Sequence, residues 1–144
     1  MINLNALRKA AKSGDAAAVK SATKEDPGVV NHRFVHEWTL LHFAAKGGHV
    51  ETIEIVLADK AEINAMNELW ETPVDVAPDQ PAVEVLRKHG GKAGPEASLH
   101  SAVFRGNMKW IKRHVTSGTD LNALSGGELP LCLALRRDNL EATR

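Results

Sequence analysis

The feature that most constrains this chain is a short phrase repeated along its length. An apolar residue, two variable positions and an alanine occur five times, with the alanines at 10, 44, 77, 102 and 134. The steps between these alanines are 34, 33, 25 and 32 residues. A period of about 20–50 residues is typical of folds that stack one supersecondary unit many times. We therefore expect a series of similar units.

Each unit has the pattern of two helices. A glycine follows the alanine by four residues at Gly14, Gly48 and Gly106, which suits the left-handed turn after a short helix. A longer stretch with helical periodicity then follows, as in residues 50–61, VETIEIVLADKA. One such helix pair cannot bury its apolar side alone, whereas stacked neighbours can.

The most complete copy of the phrase is residues 38–49, WTLLHFAAKGGH. With AEINA at 61–65, TPVDVA at 72–77 and SLHSA at 98–102, it resembles the ankyrin repeats, which have a period of about 33 residues and a T-P-L-H-x-A phrase. The resemblance covers nearly the whole chain. It implies an all-α, ankyrin-type α-solenoid of stacked helix–turn–helix repeats with β-hairpin finger loops.

About four and a half repeats are expected in a single stack over 1–144. They are an N-terminal cap at about 2–35, a full unit at 36–68, a shortened unit at 69–92, a unit at 97–125 and a partial unit at 126–144. Pro78 and Pro81 should stop the first helix of the third unit early. Residues 90–95, GGKAGP, are typical of a segment that interrupts helical structure. Either a continuous stack or a kink at 92–97 fits, and we expect the continuous stack.

The histidines are interpreted as structural. His42 and His100 share one repeat position and His49 holds another, and the resemblance implies that such residues make turn-bracing hydrogen bonds. Cys132 falls at the position of His42, so we expect a small buried residue there.

No catalytic or metal-binding motif emerges from the spacing. His32 and His36 could share a zinc ion if helical, but Pro27 and Gly28 disfavour a helix there and no third ligand is evident. No phosphate-binding loop or nucleophile elbow is present. We expect no enzyme activity, no cofactor, no metal and no small-molecule substrate.

Charge and composition limit the classes of partner and the cellular location that we expect. The formal net charge is zero, which argues against nucleic-acid binding. No apolar run suits a membrane span or a secretory signal, and the single cysteine fits a reducing compartment, so a cytoplasmic location is expected. The charge is uneven, with +3 over residues 1–50, −6 over 51–91 and +3 over 92–144. This pattern is typical of solvated helix faces, although a partner surface is the alternative.

The expected function is non-catalytic recognition of another protein through the concave surface of fingers and first helices. Affinity would come from finger aromatics and from Lys/Arg pairing with acidic groups on the partner. The alternative for the tryptophans is packing against the neighbouring finger. A regulatory or targeting domain of a larger enzyme or secreted effector is the alternative function, suggested by the abrupt end at Arg144. The contact positions implied by the resemblance are Trp38, Phe43, Lys46, Leu69, Trp70, Glu71, Phe104, Arg105 and Arg136, with Lys9 and Lys12 also facing the groove.

Overall fold

A computed structural model describes residues 1–123, 125 and 127–136, with only the backbone of Arg136. The chain divides into two compact units, residues 1–93 and 94–144. The division falls within the segment where a kink was considered, and the single stack over 1–144 stays a prediction.

The first unit consists of three helix pairs in two layers. The pairs are α1 (Leu4–Ser13) with α2 (Ala16–Glu25), α3 (Leu40–Gly47) with α4 (Val50–Ala58), and α5 (Pro73–Val76) with α6 (Gln80–Lys88). The first helices pack in the order α1, α3, α5 and the second helices in the order α2, α4, α6. Short 3-10 turns occupy Pro27–Asn31 and Val35–Glu37. These pairs correspond to the first three predicted repeats.

The second unit begins with a helix where the glycines and proline predicted a break. Its helices are α7 (Gly94–Ala97), α8 (Leu99–Phe104), α9 (Met108–Thr116) and α10 (Pro130–Arg136). Pro95 fits the first turn of α7 because a residue there needs no amide hydrogen for the helix. The break predicted for residues 90–95 is therefore confirmed at residues 90–93, which lie outside the helices, and wrong at Gly94 and Pro95; α8 and α9 form the predicted fourth pair.

The structure is all-α as predicted, but its finger loops differ in detail from β-hairpins. Phe34 N–H donates to the Trp38 carbonyl at 2.7 Å, and Asn67 N–H donates to the Glu71 carbonyl at 3.1 Å. We call Phe34–Trp38 the first finger and Asn67–Glu71 the second finger. Each is too short for a strand ladder, and no strand occurs in the described residues beyond an isolated bridge between Ser125 and Glu128.

The helix ends follow from side-chain chemistry. Thr39 and Thr72 close capping boxes at the starts of α3 and α5, satisfying amide hydrogens that the helices leave free. Gly48 ends α3 with a φ of 71°, which glycine adopts without strain. Helix α5 stops at Val76, just before Pro78, as predicted. Pro81 lies in the first turn of α6, where it starts a helix instead of breaking one.

The loop after α4 has a lysine, Lys60, where two other repeats have a glycine. Lys60, after α4, has a φ of 65°, while the equivalent Gly90 and Gly118 have φ values of 88° and 78°. A side chain in the left-handed region costs roughly 1–2 kcal/mol relative to ordinary backbone. Lys60 is therefore a locally strained position.

Candidate partner-binding surface

Aromatic side chains of the first finger pack on α3. The Phe43 ring lies 5.1 Å from the Trp38 ring and 5.5 Å from the Phe34 ring, centroid to centroid. His32 stands edge-on to Phe34 at 4.8 Å. The rings of Phe34, Trp38 and Phe43 are half-buried. They form an apolar area that is partly exposed to solvent, the kind of area that dominates binding hot spots.

Basic side chains border these rings. The Arg8 guanidinium lies 6.0 Å from the centroid of Phe43, within cation–π range. The repeat register places Lys9 of α1 at the position of Phe43, and Lys12 at that of Lys46. Because α1 packs against α3, these positions are neighbours on the side of the first helices.

The basic groups are not neutralised within the unit. Ion pairs in the described residues join Met1 to Glu25, Arg33 to Glu62 and His36 to Glu68, so no described carboxylate lies within 4.0 Å of the four cations near Phe43. The lysines are exposed and Arg8 is half-buried. We call Arg8, Lys9, Lys12, Trp38, Phe43 and Lys46 the basic–aromatic patch.

Polar contacts connect the two fingers and the residues just before them. Arg33 donates to the Met66 carbonyl at 2.7 Å and pairs with the Glu62 carboxylate at 3.2 Å. The ring of His36 meets the Glu68 carboxylate at 2.8 Å, and Glu68 N–H donates to the His36 carbonyl at 3.1 Å. The two fingers are thus ordered before a partner binds, which lowers the entropy cost of binding.

Asn67 organises the second finger. Its Oδ1 accepts from the amides of Leu69 and Glu71 at 2.9 and 3.0 Å, and its Nδ2 donates to the Glu71 carboxylate at 2.9 Å. Trp70, half-buried, has a φ of 58°, an unusual value for a bulky residue. Leu69 is left 58% exposed at the tip. The finger therefore presents an apolar side chain on a stiff turn.

His42 connects α3 to the second finger. It is fully buried, and its Nδ1 accepts from Thr39 N–H at 3.2 Å while Nε2 lies 3.0 Å from the Glu71 carbonyl. The Nε2–H tautomer satisfies both contacts. Burial lowers the pKa of His42 below 6.5, because charging the ring inside the protein loses its hydration.

The other two repeat histidines make equivalent braces. His100 Nε2 lies 3.0 Å from the Glu128 carbonyl, and His49 Nε2 lies 3.0 Å from the Lys12 carbonyl. The structural role expected for all three histidines is confirmed. Cys132 departs from the expectation, because it is exposed.

The metal interpretation finds no geometric basis in the described part of the chain. No group of three or more His, Cys, Asp or Glu residues there could hold an ion. His36 faces Glu68 and His32 faces Phe34, so the two histidines are engaged separately.

Comparison with known proteins decides the family. A family model for ankyrin repeats matches three copies over residues 7–94, well over half of the chain. The chain belongs to the ankyrin repeat family. The fold agrees with the human ASB11 ankyrin repeat domain, with a TM-score of 0.56 and 24% identity over 95% of this chain and 65% of that one.

Curated relatives carry the same kind of segment within longer proteins. The serine/threonine-protein kinase VIK of Arabidopsis thaliana is 34% identical over 62% of this chain, and the E3 ubiquitin-protein ligase XBAT33 of the same plant is 33% identical over 70%. A Caenorhabditis elegans homologue of transient receptor potential cation channel subfamily A member 1 is 26% identical over 96%. This ankyrin chain spans only 12% to 21% of the length of these relatives.

The predicted contact residues fall in both units. Trp38, Phe43 and Lys46 lie together in the basic–aromatic patch, and Leu69, Trp70 and Glu71 lie in the second finger. In the second unit, Phe104 is half-buried at the end of α8, and the exposed Arg105 follows it. Arg136 ends α10, and its side chain lies outside the described residues.

Sequence reasoning missed three residues of this surface: Arg8, Phe34 and Asn67. Arg8 is not among the contact positions implied by the resemblance, and its proximity to Phe43 depends on the packing of α1 on α3. Phe34 lies outside the repeated phrase. Asn67 has the turn chemistry typical of asparagine, which could have identified it.

Ankyrin repeats are generally protein-interaction modules and are typically non-catalytic. Among the described residues, no helix has the length and apolar character needed to cross a bilayer.

Proposed function

We propose that this ankyrin-repeat chain is a non-catalytic module that binds another protein through its fingers and first helices, chiefly those of residues 1–93. The observation that carries the proposal is the basic–aromatic patch, in which half-exposed rings lie beside cations that have no carboxylate partner among the described residues. Aromatic and arginine side chains are enriched at binding hot spots. Burying this patch under a partner would remove apolar area from water and engage the unpaired charges.

Two groups of residues form the proposed contact surface. The first group comprises the patch and the second finger, so it includes Trp38, Phe43, Lys46, Leu69, Trp70 and Glu71. Phe104, Arg105 and Arg136 in residues 94–144 form a second, separate group. No nucleic acid, membrane or small-molecule substrate is part of the proposal.

Side chains that do not support the fold give the cleanest test. Trp38 is less suitable because its ring packs at 5.6 Å from His42 and 5.1 Å from Phe43. Lys46 and Leu69 are both exposed. We expect the double variant Lys46→Ala, Leu69→Ala to melt within a few degrees of the wild type, because exposed substitutions change stability little.

The experiment compares proteins captured from cell extract by three baits, quantified by isotope labelling. The baits are the wild type, the Lys46→Ala, Leu69→Ala variant and the control Glu51→Ala, Glu54→Ala, which changes two exposed residues of α4. We expect at least one protein to be retained by the wild type and the control but lost from the first variant. Equal retention of every captured protein by all three baits would contradict the proposed surface.

A regulatory or targeting domain within a larger protein is the second candidate function. Its support is that the kinase and ubiquitin ligase relatives are about five times longer than the matched segment. The first proposal includes a cytoplasmic location, which the single cysteine supports. The second candidate function includes a secreted effector. Sequencing the full transcript decides it: an in-frame catalytic domain on either side of residues 1–144 would support this function, and a reading frame limited to residues 1–144 would exclude it.

A further inference from the structure

The basic–aromatic patch also indicates the chemistry of the partner, an inference that rests on the proposed function. Helices α1 and α3 carry Arg8, Lys9, Lys12 and Lys46 and no acidic residue. None of the four cations has a carboxylate partner among the described residues. Like charges on neighbouring helices repel one another, so a partner with negative charge would relieve that repulsion on binding.

We propose that the patch binds an acidic peptide segment that carries an apolar side chain among its carboxylates. The apolar side chain would lie on the open side of Phe43 and Trp38, whose rings are 5.1 Å apart. The carboxylates would lie against the lysines of α1 and α3. Apolar burial supplies affinity, and the charge pairs supply selectivity.

The spacing of the helices sets the spacing within the peptide. Packed helices lie about 8–10 Å apart, and an extended chain advances about 3.3 Å per residue. A strand that crosses from α1 to α3 therefore covers this distance in about three residues. Because every second side chain of an extended strand faces the same side, an acidic side chain over Lys9 or Lys12 and an apolar side chain over Phe43 would be two or four positions apart.

A nucleic-acid strand fits this surface less well than a peptide. Its phosphates form a continuous row of charge, and stable binding requires several neutralised phosphates along the strand. The row of basic groups does not continue beyond α3, where the second finger carries the carboxylates of Glu68 and Glu71 instead. A peptide can place its acidic residues over the lysines alone.

The test uses the full chain and fluorescence anisotropy of three labelled probes. The first is a twelve-residue peptide of glutamates and glycines with one central leucine, and the second has glutamine at every glutamate position. The third is a single-stranded oligothymidine of twelve nucleotides. We expect saturable binding of the acidic peptide, at least tenfold weaker binding of the glutamine peptide, and weaker binding of the oligonucleotide than of the acidic peptide.

A pair of matched variants locates the site. An exposed charge pair contributes about 0.3–1 kcal/mol, so Lys12→Gln with Lys46→Gln should weaken binding of the acidic peptide by about 3- to 30-fold. The control Lys20→Gln with Lys24→Gln removes the same charge from exposed positions of α2 and should bind within twofold of the wild type. Circular dichroism and thermal melting confirm that both variants are folded.

Four results would overturn the inference: no saturation by the acidic peptide up to about 1 mM, equal binding of the glutamine peptide, tighter binding of the oligonucleotide, or equal weakening by the two variant pairs. These results are separable from failure of the proposed function. If peptide binding fails while the capture experiment still depends on Lys46 and Leu69, the chain binds a protein at this surface, but the acidic chemistry is wrong.

Discussion

Replacing His42 by alanine tests the brace that connects the repeats. The substitution removes the contacts of Nδ1 with Thr39 N–H at 3.2 Å and of Nε2 with the Glu71 carbonyl at 3.0 Å. Each hydrogen bond contributes about 1 kcal/mol, and the fully buried side chain leaves a cavity that adds about another 1 kcal/mol. We expect the free energy of unfolding to fall by about 3 kcal/mol at pH 7.5.

The same substitution should remove a pH dependence. The pKa of His42 is lowered by burial, so the unfolded chain takes up a proton near pH 6.5 while the folded chain stays neutral. The resulting stability is fully present above pH 6.5 and is lost as the pH falls toward the folded pKa. Between pH 7.5 and 5.5 the wild type can lose at most about 1.4 kcal/mol through this residue. The alanine variant loses none of it, so the difference between the two proteins should shrink at pH 5.5.

Urea unfolding at the two pH values measures both effects. Tryptophan fluorescence in a Trp110→Phe background reports on residues 1–93, where the remaining tryptophans, Trp38 and Trp70, lie. His89→Ala is the matched control, because that exposed ring contacts only a carbonyl of its own helix, at 2.9 Å. Two results would contradict the role of His42 as a brace. One is a loss of less than about 1 kcal/mol in the free energy of unfolding of His42→Ala at pH 7.5, and the other is a difference between the two proteins that does not change with pH.

Three further substitutions test the repeat geometry by urea unfolding. Lys60→Gly should raise the free energy of unfolding by up to about 1 kcal/mol, since it relieves a φ of 65°, and no gain would contradict the assigned strain. Gly47→Ala should cost more than about 2 kcal/mol, because an added Cβ would collide with the Lys12 carbonyl; a smaller cost would mean that α1 and α3 separate easily. Thr72→Val should cost about 2 kcal/mol, because the 2.6 Å bond from the Thr72 hydroxyl to the Lys92 carbonyl is lost, and a neutral result would show that this bond does not contribute.

The repeat pattern predicted most of the fold because each repeated residue has a local physical role. Thr39 and Gly48 mark the two ends of α3, and Pro78 marks the early end of α5, so the helix pairs of residues 1–93 could be predicted by position. The same local logic failed at Gly94 and Pro95, the end of the segment 90–95 that was interpreted as a break. Pro95 is also compatible with a first helical turn, and local sequence does not distinguish the two.

The candidate surface was predicted less completely because it depends on packing between repeats. Trp38, Phe43 and Lys46 were identified from their repeat positions, and the structure places them in one area. The contribution of Arg8 arises from helix packing, and that of Phe34 from the path of the first finger. Neither residue belongs to the repeated phrase, so the periodicity carries no information about them.

Site-specific photo-crosslinking tests the central claim, recognition of a protein through the patch and the second finger, most directly. A benzophenone amino acid replaces Leu69, which is 58% exposed at the tip of the second finger, or Glu54, which is exposed on α4. Irradiation in cells followed by mass spectrometry identifies the adducts. We expect a specific protein adduct from position 69 that is absent from position 54 and is reduced by Lys12→Gln with Lys46→Gln. Adducts from position 54 alone, or none from position 69, would contradict the account.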